Sequence, residues 1–358
     1  MSNREDIPPL VREDGTYPTV PLRKPVISIA VVQTRVRGVD GANPGPGIRE
    51  NLDYTLACID KAQGYGGPSD LLCFHEFPLQ GYQPGWTRPE YLRVAIDVPG
   101  PEGEAIAARA RQYNCYIAFG CLARDPDWKD HVMNWQVLVG PEGQVVDVHW
   151  KQRNVRGMFP GSENITTTIY DVFDRYVEMY GWDRVIPVAR TDIGNIAMSS
   201  VQFEQELFRC MAMKGAEIIC RVATGGCEWE DMRLTSYHND VYTTLVNNSV
   251  STGSSNPHFF EENAPKNNWI GRSAIFGPRG EVLTEAGVFE TKRRTMINME
   301  AYRKKHRIPD LHIALYRHIF DQYRERYDHS AYLERLPQDK VEGARMLKDA
   351  ARWMNYWY

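Results

Sequence analysis

Short runs of aliphatic and β-branched residues, each closed by a turn or a helical stretch, recur along this chain of 358 residues and leave few folds open to it. Val26-Ile27-Ser28-Ile29-Ala30-Val31-Val32-Gln33 shows little polar alternation, so it reads as a strand buried on both faces. Residues 71–74, 115–122 and 218–222 read the same way. Between these runs, residues 51–62 place apolar side chains at 52, 56 and 59, one face of a helix. Residues 102–113 are Ala-rich and helical, and residues 205–214 form a helix closed by Gly215. Residues 134–139 and 145–151 flank Pro141-Glu142-Gly143 and read as a β-hairpin, as do residues 273–283. Residues 186–201 hold two strands around Asp192-Ile193-Gly194-Asn195, and residues 240–250 a helix running into a strand. Strand–helix units mixed with hairpins specify an α/β fold with mixed rather than purely parallel sheets.

The alternation continues to about residue 300 without a linker, a repeat or a low-complexity block. The chain therefore divides into an N-terminal arm (1–24), one α/β domain (25–300) and a charged, helical C-terminal arm (301–358). The last residues, Trp353-Met354-Asn355-Tyr356-Trp357-Tyr358, are too apolar to be left in water, so a contact with a second subunit is expected there. A homodimer or higher homo-oligomer follows from that reading.

Several classes of function are excluded. The net charge of −4 gives no general attraction to nucleic acid or to an anionic membrane. No apolar run has the ~20 residues a membrane span needs. Residues 1–23 are polar and Pro-rich, unlike a secretory signal, and seven scattered cysteines without C-x-x-C spacing read as free thiols in a reducing compartment. A cytoplasmic enzyme is the expectation. His306, His312 and His318 do not share a helix face, so no metal site is expected, and no cofactor fingerprint is present.

The chemistry concentrates at strand ends. One strand runs into Glu76 in Phe74-His75-Glu76-Phe77-Pro78, and another into Lys151 in Val148-His149-Trp150-Lys151. A third, Asn195-Ile196-Ala197-Met198-Ser199-Ser200-Val201, ends where a nucleophile would be expected, and no cysteine stands there. A carboxylate suits proton transfer and a fixed ammonium suits a developing oxyanion.

With these landmarks the chain resembles the nitrilase (carbon–nitrogen hydrolase) superfamily, and within it the aliphatic amidase and formamidase branch. The motifs that carry the resemblance are Phe74-His75-Glu76-Phe77-Pro78-Leu79-Gln80-Gly81-Tyr82, the hairpin 134–151 ending in Lys151, Gly157-Met158-Phe159-Pro160-Gly161, the helix and strand at 209–219, and the late hairpin 273–281. The resemblance implies a four-layer α-β-β-α sandwich of the nitrilase type. It implies Glu76 as proton acceptor and Lys151 as oxyanion partner, acting on a small amide, carbamoyl or nitrile-type compound. The family's cysteine has no counterpart. Counting forward from Gly194-Asn195-Ile196-Ala197 puts its place at Val201, and counting backward from Glu206-Leu207-Phe208-Arg209 puts it at Ser199. A strand sets the register of its own end, so Val201 is expected there, with Ser199 the alternative.

Arg156 stands where the family's second glutamate would be, so an anionic group in the pocket is favoured. Phe77 and Gln202, beside the two key strand ends, are expected to contact substrate. Cys227, in Gly225-Gly226-Cys227-Glu228, lies at the next strand end and is the candidate thiol to substitute, whereas Cys210 reads as core packing. The Ser-, Asn- and Pro-rich residues 249–268 suggest a lid. Besides hydrolysis, two alternatives follow: lyase, hydratase or isomerase chemistry without a covalent intermediate, or a ligand-binding homologue without activity.

Overall fold

The computed structural model describes residues 10, 12–83, 85–154, 165–225, 227–250 and 270–352. Arg156, the 157–161 loop, most of the polar loop (251–269) and residues 353–358 lie outside them. The strands are β1 (Val26–Gln33), β2 (Leu71–Cys73), β3 (Ile96–Asp97), β4 (Tyr116–Arg124), β5 (Met133–Val139), β6 (Val145–Trp150), β7 (Ala189–Thr191), β8 (Gly194–Ser199), β9 (Ile218–Val222), β10 (Tyr242–Val246), β11 (Ala274–Phe276), β12 (Val282–Glu285) and β13 (Thr291–Asn298). The helices are α1 (Gly45–Gly64), α2 (Arg88–Val94), α3 (Pro101–Tyr113), α4 (Phe173–Tyr180), α5 (Gln205–Met213), α6 (Trp229–Asn239), α7 (Met299–Lys305), α8 (Arg317–Gln322), α9 (Ala331–Glu334) and α10 (Lys340–Ala350). None of them is long and apolar enough to cross a membrane.

Two mixed sheets form. The first runs β13-β1-β2-β4-β5-β6 with β3 against β4, and the second runs β12-β11-β10-β9-β8-β7. Alternate residues of β1, β2 and β4 (Ile27, Ile29, Leu71, Ala118) meet Ile196, Met198, Ile218 and Val222 of the second sheet in a core between the sheets. On the outer face of the first sheet, Ile117, Phe119 and Cys121 pack with Ile59 of α1 and Ile106 and Ala110 of α3. On the outer face of the second, Ala197 and Ile219 pack under Phe208 and Met211 of α5, and Leu245 and Phe276 under Met232 of α6. Helix, sheet, sheet, helix is the expected four-layer sandwich.

Three elements depart from the sequence expectation. The helix expected within 240–250 lies earlier, as α6, and Asp240 ends it in a left-handed conformation (φ 53°) before β10 begins. The buried face of α6 is Asp231, Met232, Thr235, Ser236 and Asn239, so its helical period is polar and invisible to a hydrophobic pattern. Strand β13 pairs antiparallel with all of β1 although it carries Lys292, Arg293 and Arg294. The C-terminal segment is not wholly an arm. Tyr332 is buried in the outer core of the first sheet, Ser330 N–H donates to Tyr170 C=O (2.8 Å), and Arg88 N–H donates to Gln338 C=O (2.7 Å). The N-terminal residues also lie on the body: Tyr17 Oη donates to Glu217 (2.9 Å) and Asn195 Nδ2 to Pro18 C=O (3.0 Å).

The turn after β2 is built against β4. Pairing continues past Cys73, with Phe74 N–H to Ala118 C=O (2.8 Å) and Gly120 N–H to His75 C=O (3.2 Å). Gly120 is required there, because a Cβ would stand 2.1 Å from the Glu76 carbonyl oxygen. The fully buried His75 ring accepts the Phe77 N–H at Nδ1 (3.2 Å), so its proton sits on Nε2, facing the Arg35 carbonyl (3.3 Å). Gln80 ties the far side of the turn to Leu122 C=O (2.8 Å).

Two outcomes follow. Gly120→Ala should lower stability by at least ~1–3 kcal/mol, the usual range for overpacking, seen as a fall in the urea midpoint at unchanged slope; an unchanged midpoint contradicts the close approach. Burial pushes His75 down to about 4, so the folded state resists protonating it. Its contribution is complete above the unfolded value of about 6.5 and is lost as pH falls from there toward 4. Between pH 7 and 5 this amounts to about 2 kcal/mol, and His75→Asn should remove that part of the acid loss.

Candidate active site

Strands β2 and β6 lie in the same sheet and point the same way, so their carboxyl ends share one edge. Lys151 follows β6 directly and is held by two backbone bonds: its N–H to Asn134 C=O (2.9 Å) and its C=O from Ile169 N–H (3.1 Å). Its Nζ lies 3.0 Å from Glu76 Oε1, and both side chains are about nine-tenths buried. Asn134, fully buried on β5, donates its Nδ2 to the same Oε1. Glu76 Oε1 thus takes two donors, while no hydrogen bond from a described residue reaches Oε2. A buried ion pair is costly unless well bonded. Here one oxygen is saturated and the other is left with a lone pair for a proton.

The second sheet brings its own strand end to this edge. Strand β8 ends at Ser199, opposite Arg221. Ser199 Oγ accepts the Val201 N–H (3.1 Å) and donates to Gln152 Oε1 (3.0 Å), the residue after Lys151. Val201 lies beyond the strand, and its side chain is fully buried among Ala197, Leu207, Phe208 and Met211 beneath α5. Of the two candidate places for a nucleophile, it is Ser199 that contacts the Lys151 segment. The strand pattern 197, 199, 201 continues its facing past the end of β8, which puts Val201 into the helix-side core.

The remaining candidates scatter. Phe77 is buried in the outer core of the first sheet and stacks on Tyr82 (5.9 Å between centroids), where it braces the Glu76 turn. The Gln202 backbone carbonyl accepts from Arg153 Nη2 (2.8 Å), and its side-chain oxygen accepts the Glu228 N–H (3.2 Å). Cys227 packs with Ala223, Met232, Leu245 and Phe276 on the outer face of the second sheet, and burial pushes its thiol up to about 12. Burial likewise raises Cys58, Cys115, Cys121 and Cys210, and Cys73 is raised by its hydrogen bond with Cys220 and by burial. All six thiols are raised, so none is poised as a thiolate, although Cys210 lines the cavity beside Gln152.

Several residues that shape this edge were not singled out from sequence. Arg221, fully buried at the end of β9, donates to Val201 C=O (2.7 Å), Asp231 Oδ2 (2.6 Å) and Thr235 Oγ1 (2.7 Å), with Phe208 under its guanidinium (3.9 Å). Asp231 in turn accepts the Phe203 N–H (3.3 Å) and Gln205 Nε2 (2.9 Å), so the pair clamps the elbow between β8 and α5. An arginine inside Ile218-Ile219-Cys220-Arg221-Val222 was the available signal, since a buried charge in an apolar strand demands a partner. Arg153, half-buried and lowered to about 10 by desolvation, pairs with Glu204 of the same elbow. A cavity of about 810 Å³ opens beside Gln152, with Arg153, Asn154, Leu207, Phe320 and Tyr323 among its walls. Among the described residues no cluster of His, Cys, Asp or Glu is arranged to hold a metal ion.

The sequence model of the family described as carbon-nitrogen hydrolase matches residues 28–299. The formamidase of Helicobacter acinonychis (strain Sheeba) is 25% identical over 210 residues, covering 56% of each chain. A bifunctional nitrilase/nitrile hydratase of Lupinus angustifolius is 30% identical over 188 residues, covering 47% of each. The chain spans about half the length of these curated relatives. Among solved structures, a double mutant of the amidase from Nesterenkonia sp. AN1 in complex with acrylamide superposes with a TM-score of 0.58 at 16% identity, over 84% of this chain and 100% of that one. That likeness speaks to the fold. With the family match spanning both sheets and both strand ends at Glu76 and Lys151, the chain belongs to the carbon–nitrogen hydrolase family.

Proposed function

We propose that this protein hydrolyses a carbon–nitrogen bond in a small amide, carbamoyl or nitrile-type compound without a thiol nucleophile. The observation that supports this reading is the buried Glu76–Lys151 contact of 3.0 Å, with no hydrogen bond from a described residue on Oε2 of Glu76. For an amide, Glu76 takes a proton from a water molecule as that water's oxygen bonds to the carbonyl carbon. The carbonyl electron pair moves onto oxygen, and the Lys151 ammonium holds the resulting oxyanion. Collapse of the adduct breaks the carbon–nitrogen bond, and the departing nitrogen takes the proton back from Glu76. Atoms and charges balance with water as the only co-substrate.

Ser199 supports this direct route rather than an ester intermediate. Its hydroxyl donates to a neutral amide oxygen of Gln152, which is no base, and its own oxygen holds the Val201 N–H. Arg156, Phe77, Gln202 and Cys227 enter the reading only as surroundings: the first lies outside the described residues, and the other three are engaged by packing or backbone contacts. The same carboxylate–ammonium pair would serve hydration or elimination, and the raised thiols favour that alternative over a displaced cysteine.

We also infer that the chain self-associates through the exposed apolar side chains of the C-terminal segment, Leu315, Ile319, Phe320 and Tyr323, each about 60% exposed. Light scattering at micromolar concentration should give at least a dimer mass, and Ile319→Asp with Phe320→Asp should lower it; a monomeric wild type contradicts the inference.

The central test is ammonia release from a panel of small amides, ureas and nitriles. Turnover should survive iodoacetamide treatment, with no acyl adduct by intact-protein mass spectrometry. Glu76→Gln and Lys151→Ala should each lower kcat by about 10²–10⁴-fold with the fold retained. Loss of activity in step with alkylation of one cysteine would sink the thiol-free mechanism.

A further inference from the structure

One residue touches both members of the buried pair. Asn134 gives its side-chain amide to Glu76 Oε1 and its backbone carbonyl to the Lys151 N–H (2.9 Å). The amide cannot be turned around, because a carboxylate only accepts, so the NH₂ end must face Glu76. The other end, Oδ1, accepts from Gln136 Nε2 (3.4 Å), two residues along the same face of β5. Asn134 is completely buried, and its neighbours on the strand, Leu122 across β4 and Trp135 against Trp150 of β6, set its register from both sides.

We propose that Asn134 is the positioning residue of this centre: it commits Oε1 of Glu76 to structural bonds and leaves Oε2 as the proton-accepting oxygen. The proposal rests on Glu76 being the general base. Lys151 alone would not do this. Its ammonium sits on a flexible stem with freely rotating donors and can follow either oxygen. An amide anchored at both ends of a rigid strand cannot follow, so rotation of the carboxylate breaks the Asn134 bond. A neutral donor also suits the role chemically. It favours the ionised carboxylate, yet has no titratable proton with which to compete for the substrate's.

The contrast within the same molecule is instructive. Glu217, also fully buried, accepts Tyr17 Oη and Arg303 Nε at Oε1, and Asn195 N–H and Arg303 Nη2 at Oε2. Both of its oxygens are spoken for, as suits a fixed structural anion. Of the two, Glu76 is the one whose bonds from described residues stop at one oxygen.

The test reads the carboxyl group itself. Infrared difference spectra between the protein and its Glu76→Gln variant, taken across pH, isolate the carboxylate band of Glu76. The same difference is measured in Asn134→Ala and in Asn134→Leu, the second keeping the volume so that a cavity does not decide the result. Loss of one hydrogen bond to the charged form should displace the pH profile of that band upward in both variants. The acid limb of the kcat/KM profile should move with it, while the thermal midpoint need not follow. An unmoved band profile in a folded Asn134 variant overturns the proposal. Should Glu76→Gln leave turnover intact, the base assignment fails, and the infrared shift still reports separately whether Asn134 controls that carboxylate.

Discussion

Everything in this molecule depends on two sheets burying one face each against the other. Ile27, Ile29, Val31 and Leu71 on one side and Ile196, Met198, Ile218 and Val222 on the other form a dry layer, close enough that Cys73 Sγ and Cys220 Sγ lie 3.7 Å apart. Each large side chain in such a layer is worth roughly 1.5–3 kcal/mol by transfer to an apolar setting. The layer also restricts register, since a slip of one residue would turn every inward side chain of a strand toward the helix-covered face. The sheets are therefore locked not only in stacking but along their strands. That lock brings the carboxyl ends of β2, β6 and β8 to a common edge.

The chemistry of that edge is a consequence of where charges are tolerated. A buried carboxylate must be bonded or protonated, and two of the buried carboxylates show different solutions. At one end of the second sheet, Glu217 ties the N-terminal segment, the start of β8 and α7 together through Tyr17, Asn195 and Arg303. At the working edge, Glu76 is held by Lys151 and Asn134 through a single oxygen. The first arrangement spends all its bonding capacity on the fold. The second keeps some in reserve, and that reserve is what a proton-transfer site needs. Arg221 and Asp231 play the supporting part on the other sheet, where they fix the elbow after β8 by its Val201 carbonyl and Phe203 N–H.

Local pattern was enough for a large part of this. A run such as Val26–Gln33, broken only by Ser28 before its terminal Gln33, has few alternatives to a central strand, and β1 spans those same residues. The strand end at Lys151, the hairpins, and α5 with Gly215 behind it were legible for the same reason: side-chain period and turn residues act over a few positions. One missed element had a readable local signal. Thr87 and Glu90 form a capping box at the start of α2, with Thr87 N–H on Glu90 (2.7 Å). Strand β13 and helix α6 had none. The first covers an edge with the stems of Lys and Arg, and the second buries Asp, Thr, Ser and Asn, so their stability comes from partners distant in sequence rather than from an apolar stripe.

The amino-acid sequence by itself determined a mixed α/β fold and the two residue types, carboxylate and ammonium, at the strand ends Glu76 and Lys151, because periodicity and strand termini are local properties; the four layers and the family followed from the motifs' resemblance to known carbon–nitrogen hydrolases. Only the tertiary structure decided that these two meet at 3.0 Å, that Asn134 joins them from a third strand, and that Ser199 rather than Val201 touches the Lys151 segment. Those side-chain contacts join residues 47 to 75 positions apart. Their distances are set by how the sheets stack and in what register, and no local pattern of side chains carries that information.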